Sequence, residues 1–344
     1  MAGDRRHRAA RTTWGLIMLL ALVSVAGLNV GAAGASIGDV IAAVFSDKEL
    51  SLTDRVVLLD IRLPRLALGL LVGASLAVSG AVMQGLFRNP LADPGLVGVS
   101  AGAGLGAIVA IVLGTALPLG QALGHYVVPV AAFLGGWIST LVLYRISTRN
   151  GRTSVAVMLL AGIALGALAG ALSGILVYMA NDAQLRDLTF WGLGSLAGAT
   201  WAKVGAAAPL ILLALAAAPF LARSLNALAL GEASAAHLGI PVQRMKSIAI
   251  MTVAGATGAA VAVSGGIGFI GIVVPHLLRI AVGPDHRYLL LNAALLGAAL
   301  LVGADMISRS IIAPAELPIG IVTATIGGPF FLWILLRNRG LLDM

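Results

Sequence analysis

Ten apolar windows, at about residues 14–34, 65–87, 95–114, 125–145, 153–180, 200–220, 247–264, 268–282, 288–308 and 317–336, constrain this chain more than any other feature. A helix of about twenty apolar residues crosses the hydrocarbon core of a bilayer. A chain built of such windows is expected to be an all-α polytopic membrane protein with about ten transmembrane helices. The eighth window is short and carries Pro275, and a proline at membrane depth needs neighbouring helices to satisfy the freed backbone. Composition agrees: 59% of the 344 residues are hydrophobic and 10% are charged, against roughly 25% charged in soluble domains. No linker divides the chain, so residues 1–344 read as a single transmembrane domain.

The net charge is +8 and the pI about 10.8. A basic protein invites a nucleic-acid reading, but here the cations sit in short loops between apolar windows and not on one face or tail. They read as orientation signals, with no nucleic-acid partner. With the N-terminus inside, only Lys48, Arg55, Arg62, Arg65, Arg186, Lys203 and Arg309 of the 22 Lys and Arg fall in outer loops. That is the asymmetry of the positive-inside rule, and an even number of spans then puts both termini in the cytoplasm. Residues 1–13 form a basic tail and 221–246 the longest cytoplasmic segment. The tail before Trp14 looks superficially like a signal peptide. It leads into a wholly hydrophobic chain, so a first span is expected.

Several chemistries lack their residues. There is no cysteine, so no disulfide or thiolate site exists. His7, His125, His237, His276 and His286 make no metal-ligand spacing; His125, near the outer surface, is either a solvated loop histidine or a lone ligand. No converging nucleophile, base and acid can be assembled, so an intramembrane enzyme is not expected. Gly266-Ile267-Gly268-Phe269-Ile270-Gly271 matches G-x-G-x-x-G, yet it lies between two apolar runs and reads as a bend joining spans seven and eight. No G-x-x-x-x-G-K-[ST] is present, so energy must come from a partner or an ion gradient. An ion-coupled secondary transporter would need a charged or broken-helix ion site at the midplane, and none is evident. Gly162, Gly166, Gly170 and Gly174 make a flat stripe on the fifth span, suited to close helix packing, to the translocation path or to a subunit interface.

The stretch from Arg62 to Gly106 carries RLPR, then SG-x-x-x-Q, then NPLADP and a Gly-rich run. With GIGFIGIVVPHLLR at 266–279 and AELPIGIVTATIGGPFFLWILL at 315–336, it resembles the permease subunits of ATP-driven importers for ferric siderophores, haem and vitamin B12. That resemblance covers roughly residues 55–340 and implies a type II ABC importer permease fold working as a homodimer. It also implies two ATP-binding subunits that use ATP and Mg beneath, a periplasmic substrate-binding protein above, and residence in the bacterial inner membrane. No cofactor of its own is implied.

Read from the residues alone, Arg62, Arg65 and Arg309 are snorkelling anchors or partners of Asp60, Asp305 or Glu316. In the resembling permeases, an R-x-x-R pair and an arginine nine residues before the ELP-G proline dock the binding protein through its glutamates. Here Arg62, Arg65 and Arg309 occupy those places. Residues 221–246, LARSLNALALGEASAAHLGIPVQRMK, allow a short helix ended by Gly239-Ile240-Pro241, either an interfacial loop helix or, by resemblance, the segment pressed into an ATPase groove. Gly231, Glu232, Ala235, His237 and Gly239 are its contact candidates. QGLFRNPLADPGLVGVS and FWGLGSLAGATW look most like haem permeases, which makes haem the expected cargo, with vitamin B12 and ferric siderophores as alternatives.

Overall fold

The computed structural model describes residues 2–31, 51–116 and 118–337. Twelve helices account for most of them. Helix α1 is Ala2–Asn29 and α2 is Leu52–Phe87, the latter entered through a π-helical stretch, Val56–Arg62. Next come α3 (Val99–Leu113), α4 (Val127–Ser147) and α5 (Val155–Met179). Helix α6 is Asp182–Leu193, α7 Trp201–Leu228 and α8 Glu232–His237. The series ends with α9 (Val242–Ser264), α10 (Ile270–Val282), α11 (His286–Ser308) and α12 (Ile319–Arg337). Seven of these lie in segments long and apolar enough to cross a membrane, and α3, α10 and α12 are shorter apolar helices. Together they take up all ten windows. The stretch SIGDVIAAVF at 36–45, whose composition suits an interfacial helix, lies outside the described residues.

Three boundaries differ from the sequence reading. The basic tail is helical from Ala2 onward, continuous with the first span. Helix α7 runs to Leu228, so the beginning of segment 221–246 belongs to a span. Helix α6 was not anticipated, because half its residues are polar and no apolar window marks it. It did carry a start signal: Asn181 accepts from the Gln184 amide while the Gln184 side chain accepts from the Asn181 N–H, a reciprocal cap.

The centre of the bundle is α2, whose apolar window is 78% buried, with α9 at 67% and α11 at 56%; α5 is peripheral at 6%. Lipid tails are as apolar as leucine, so burial alone does not drive helices together in a bilayer, and backbone approach through small residues does. A Cβ on Gly80 of α2 would overlap the Gly271 carbonyl of α10, and one on Gly73 would overlap Gly297 of α11. Gly102 of α3 meets Gly135 of α4 in the same way. A separate small cluster, Ala103, Ala107, Ala132, Val261 and Ala262, fills the seam between α3, α4 and α9. The stripe residues Gly166, Gly170 and Gly174 of α5 face open space within the chain, so they do not pack α5 onto its own neighbours.

The turn between α2 and α3 shows why NPLADPG is written as it is. Arg88 caps α2 in the left-handed region at φ 50°. The Asn89 side chain accepts from the Leu91 amide at 2.9 Å, and Asp93 accepts from Gly95 at 2.8 Å to start a 3₁₀ turn, Pro94–Val97. Burial raises the Asp93 carboxyl above its ordinary value, opposed by that Gly95 N–H.

Helix α10 has 13 residues, about 20 Å of rise, less than the ~30 Å hydrocarbon core. Irregular backbone therefore lies at membrane depth beside it, which is tolerated only where protein buries it. Here three segments satisfy one another. The Ser195 amide donates to the Ser264 carbonyl at 2.8 Å, and the Ile319 amide donates to the Gly194 carbonyl at 3.1 Å. Gly194 (φ 71°) and Gly265 (φ 70°) take a conformation that side chains resist, with their α-carbons pressed on neighbouring backbone. The G-x-G-x-x-G stretch is thus a bend between α9 and α10, as its apolar flanks indicated.

Candidate functional site

Two clusters hold the residues singled out by sequence, one at each end of the bundle. The outer end, in the orientation the charges assign, brings Arg62, Arg65 and Arg309 together. Arg65 lies one turn into the regular part of α2, and its Nε donates to both carboxylate oxygens of Asp305 on α11, at 3.0 and 3.1 Å. Its Nη1 reaches Glu316 at 2.8 Å. Arg309, just past α11, lies 3.5 Å from Asp305 and donates to the Gly27 carbonyl at the end of α1. Arg62 donates to the Leu28 and Asn29 carbonyls at 2.6 and 3.3 Å. Burial pushes the Arg309 guanidinium below its usual value, against the pull of Asp305.

All three arginines are under 10% exposed, whereas the Glu316 side chain is 36% exposed. The cluster therefore ties α1, α2, α11 and the segment before α12 into one block. Among the described residues the carboxylates of this block are Asp305, inside it, and Glu316, at its rim. Of the partners named by sequence, Asp305 and Glu316 are the ones engaged.

At the inner end, Gly231 (φ 103°) breaks the chain after α7, and α8 follows as a six-residue helix. Gly239 (φ 78°) closes it, with its amide bonded to the Ala236 carbonyl at 2.9 Å. Ala235 is buried and faces the bundle, while His237 and Gly239 are exposed. Glu232 pairs with Lys246 Nζ at 2.7 Å. That ammonium is 2% exposed and also donates to the Thr153 carbonyl at 3.1 Å. Gln243, on the same turn of α9, accepts from the Thr153 amide at 2.8 Å. Thr153 belongs to a two-residue-stranded hairpin, Thr148–Arg149 with Arg152–Thr153, joining α4 to α5. The first turn of α9 thus holds both α8 and the α4–α5 hairpin.

Sequence reasoning missed Lys246 in this role. Nothing periodic relates it to Glu232 across a glycine and proline turn, and a lysine near a helix start reads as solvated. It also missed that Arg279 turns back to donate to Gln84 of α2, whose own amide donates to the Gly271 carbonyl at 3.1 Å. Among the described residues no group of three or more His, Asp or Glu is placed to hold a metal ion.

Residues 18–337 match the model of the FecCD transport family. The chain belongs to the FecCD transport family. Among its relatives is the hemin transport system permease protein HmuU of Yersinia pestis, 45% identical over 324 residues, which cover 94% of this chain and 95% of HmuU. The vitamin B12 import system permease protein BtuC of Klebsiella pneumoniae is 41% identical over 346 residues, covering 99% and 98% of the two chains. A solved metal-chelate type ABC transporter in an inward-facing conformation superposes with a TM-score of 0.83 at 32% identity, over 95% of this chain and 99% of that one. This FecCD-family chain is accordingly an ABC importer permease, multi-pass and all-α, with the transport-subunit role of its family.

Proposed function

We propose that the chain is the membrane subunit of a haem importer, working as a homodimer in the bacterial inner membrane with both termini cytoplasmic. The observation that carries the cargo is the near full-length likeness to a hemin permease. Relatives named for vitamin B12 match over a similar span, so cobalamin is the second reading. The open glycine stripe on α5 supports a second copy, since a flat surface of this kind allows close approach in lipid.

In this reading a periplasmic binding protein delivers cargo to the outer rim, where Arg62, Arg65 and Arg309 supply the positive charge that its carboxylates meet. Arginine forks suit carboxylates bidentately. Two ATPase subunits, which hold the ATP and Mg, grip the inner face at Gly231, Glu232, His237 and Gly239, while the buried Ala235, expected from sequence as a further contact, instead seats the short helix on the bundle. ATP binding in those partners biases a two-state bundle, and the permease changes access around its cargo. Ferric siderophore is the third cargo of the same machinery.

The deciding experiment is uptake into proteoliposomes carrying the permease with its purified partners, comparing haem, cobalamin and a ferric siderophore. Selective ATP-dependent haem uptake is expected. Selective cobalamin uptake would replace the cargo reading, and transport by the permease alone down an ion gradient would replace the importer mechanism.

A further inference from the structure

A cavity of about 480 Å³ opens near the outer end, between the start of α4, α6, the start of α7 and the end of α9. Its walls include Lys203, His125, Asp187, Phe190, Trp191 and Ser264. Ser264 is satisfied by the Ala260 carbonyl at 2.8 Å. Lys203 opens its ammonium to the cavity without a hydrogen-bond partner among the described residues. Its side chain is half-buried, and no carboxylate of the described residues lies within ion-pair distance of it. Its Nζ stands over the loop after α6, 3.1 Å from where a Cβ on Gly198 would lie, so glycine there leaves the ammonium its place. A half-buried cation without a partner carries a desolvation cost that an anion entering the cavity relieves.

We propose that this cavity is an anion subsite at the outer mouth, where Lys203 receives one carboxylate of a cargo whose flat apolar body lies along Phe190 and Trp191. Its size suits a substituent edge and not a whole macrocycle. His125, in the same wall set, adds an N–H, and Asp187 keeps a second carboxylate from entering the cavity beside the first. The site thus holds one carboxylate inside the cavity and leaves a second one on the same aromatic frame in the water outside. Haem, with carboxylates on an aromatic macrocycle, has this chemistry; a cargo without a free carboxylate does not. The body of the ligand rests on the haem reading, whereas the need for an anion rests on the cavity itself.

The test uses the full-length permease in lipid nanodiscs, titrated with iron protoporphyrin IX and with its dimethyl ester while the Soret band is followed. Wild type is expected to favour the free acid by about tenfold, the scale of one charge-assisted hydrogen bond. Lys203→Met should abolish that preference, and Lys203→Arg should retain most of it. Equal affinity for acid and ester in wild type, or an unchanged preference in Lys203→Met, overturns the proposal. So does a Lys203→Met variant that keeps the preference but no longer retains the binding protein, which would make Lys203 a docking contact. Cobalamin-selective uptake in the reconstituted importer would overturn the cargo reading alone, leaving the anion subsite to the titration.

Discussion

The tie between Glu232 and Lys246 makes an asymmetric prediction, because one partner is buried and the other is not. Lys246 is 2% exposed and the Glu232 side chain 44%. Glu232→Ala strands a buried ammonium with the Thr153 carbonyl as its remaining described partner. A hydrogen bond to a charged group contributes about 1.5–3 kcal/mol; the half-exposed carboxylate puts this one near the low end, and the stranded charge adds to it, for a total of about 2 kcal/mol. Lys246→Met instead removes the buried charge and keeps an apolar stem. Glu232 returns to water, and the main cost is the unpaired Thr153 carbonyl, about 1 kcal/mol. The double variant should be no less stable than Lys246→Met, giving a coupling energy of about 2 kcal/mol. Denaturant unfolding of the four proteins in mixed micelles measures the cycle. Additive effects, or a Lys246→Met loss clearly larger than that of Glu232→Ala, would refute the account of Lys246 as a buried charge held by its partners.

Gly80→Ala should destabilise by roughly 3 kcal/mol or more, since its methyl meets the Gly271 backbone and not a movable side chain; Gly166→Ala, facing open space, should stay within about 0.5 kcal/mol in the same unfolding assay. Arg65→Met leaves Asp305 buried against the distant Arg309 and should cost about 3–5 kcal/mol, whereas Glu316→Gln, at the exposed rim, should cost about 1 kcal/mol or less. With no native cysteine, a single Ser234→Cys should be labelled by an impermeant thiol reagent only in inside-out vesicles; labelling in right-side-out cells would reverse the topology. Exchanging Glu232–His237 for a Gly/Ser segment should leave the chain inserted while abolishing stimulation of the partner ATPase.

Much of the fold was legible because apolar length and turn chemistry are local. The ten windows, the NPLADPG turn and the bend at Gly266–Gly271 all follow from residues adjacent in the chain. The short helix ending before Gly239 was legible for the same reason, though its start was displaced because α7 claims Leu228. What stayed hidden is pairing between distant segments. That Gly80 must meet Gly271, or that Lys246 bridges α8 to the α4–α5 hairpin, depends on the packed arrangement and leaves no periodic trace. The outer arginines lie between these cases: sequence supplied Asp305 and Glu316 as candidate partners, and the fold closed all three guanidiniums into one internal network. A docking role for them therefore requires exchange of partners.

The alanine seam between α3, α4 and α9 bears on how such a bundle changes shape. Elsewhere the helices interlock: glycine backbones are locked face to face, and the outer arginines rivet α1, α2 and α11. Along the seam the surfaces are mostly methyl groups, with the Phe133 and Trp191 rings packed against them. The α4–α9 side is also pinned by the hydrogen bond between the Tyr144 and Ser247 hydroxyls, and the α3–α4 side by Gly102 against Gly135, so these three helices travel as one stiff unit when the bundle changes shape.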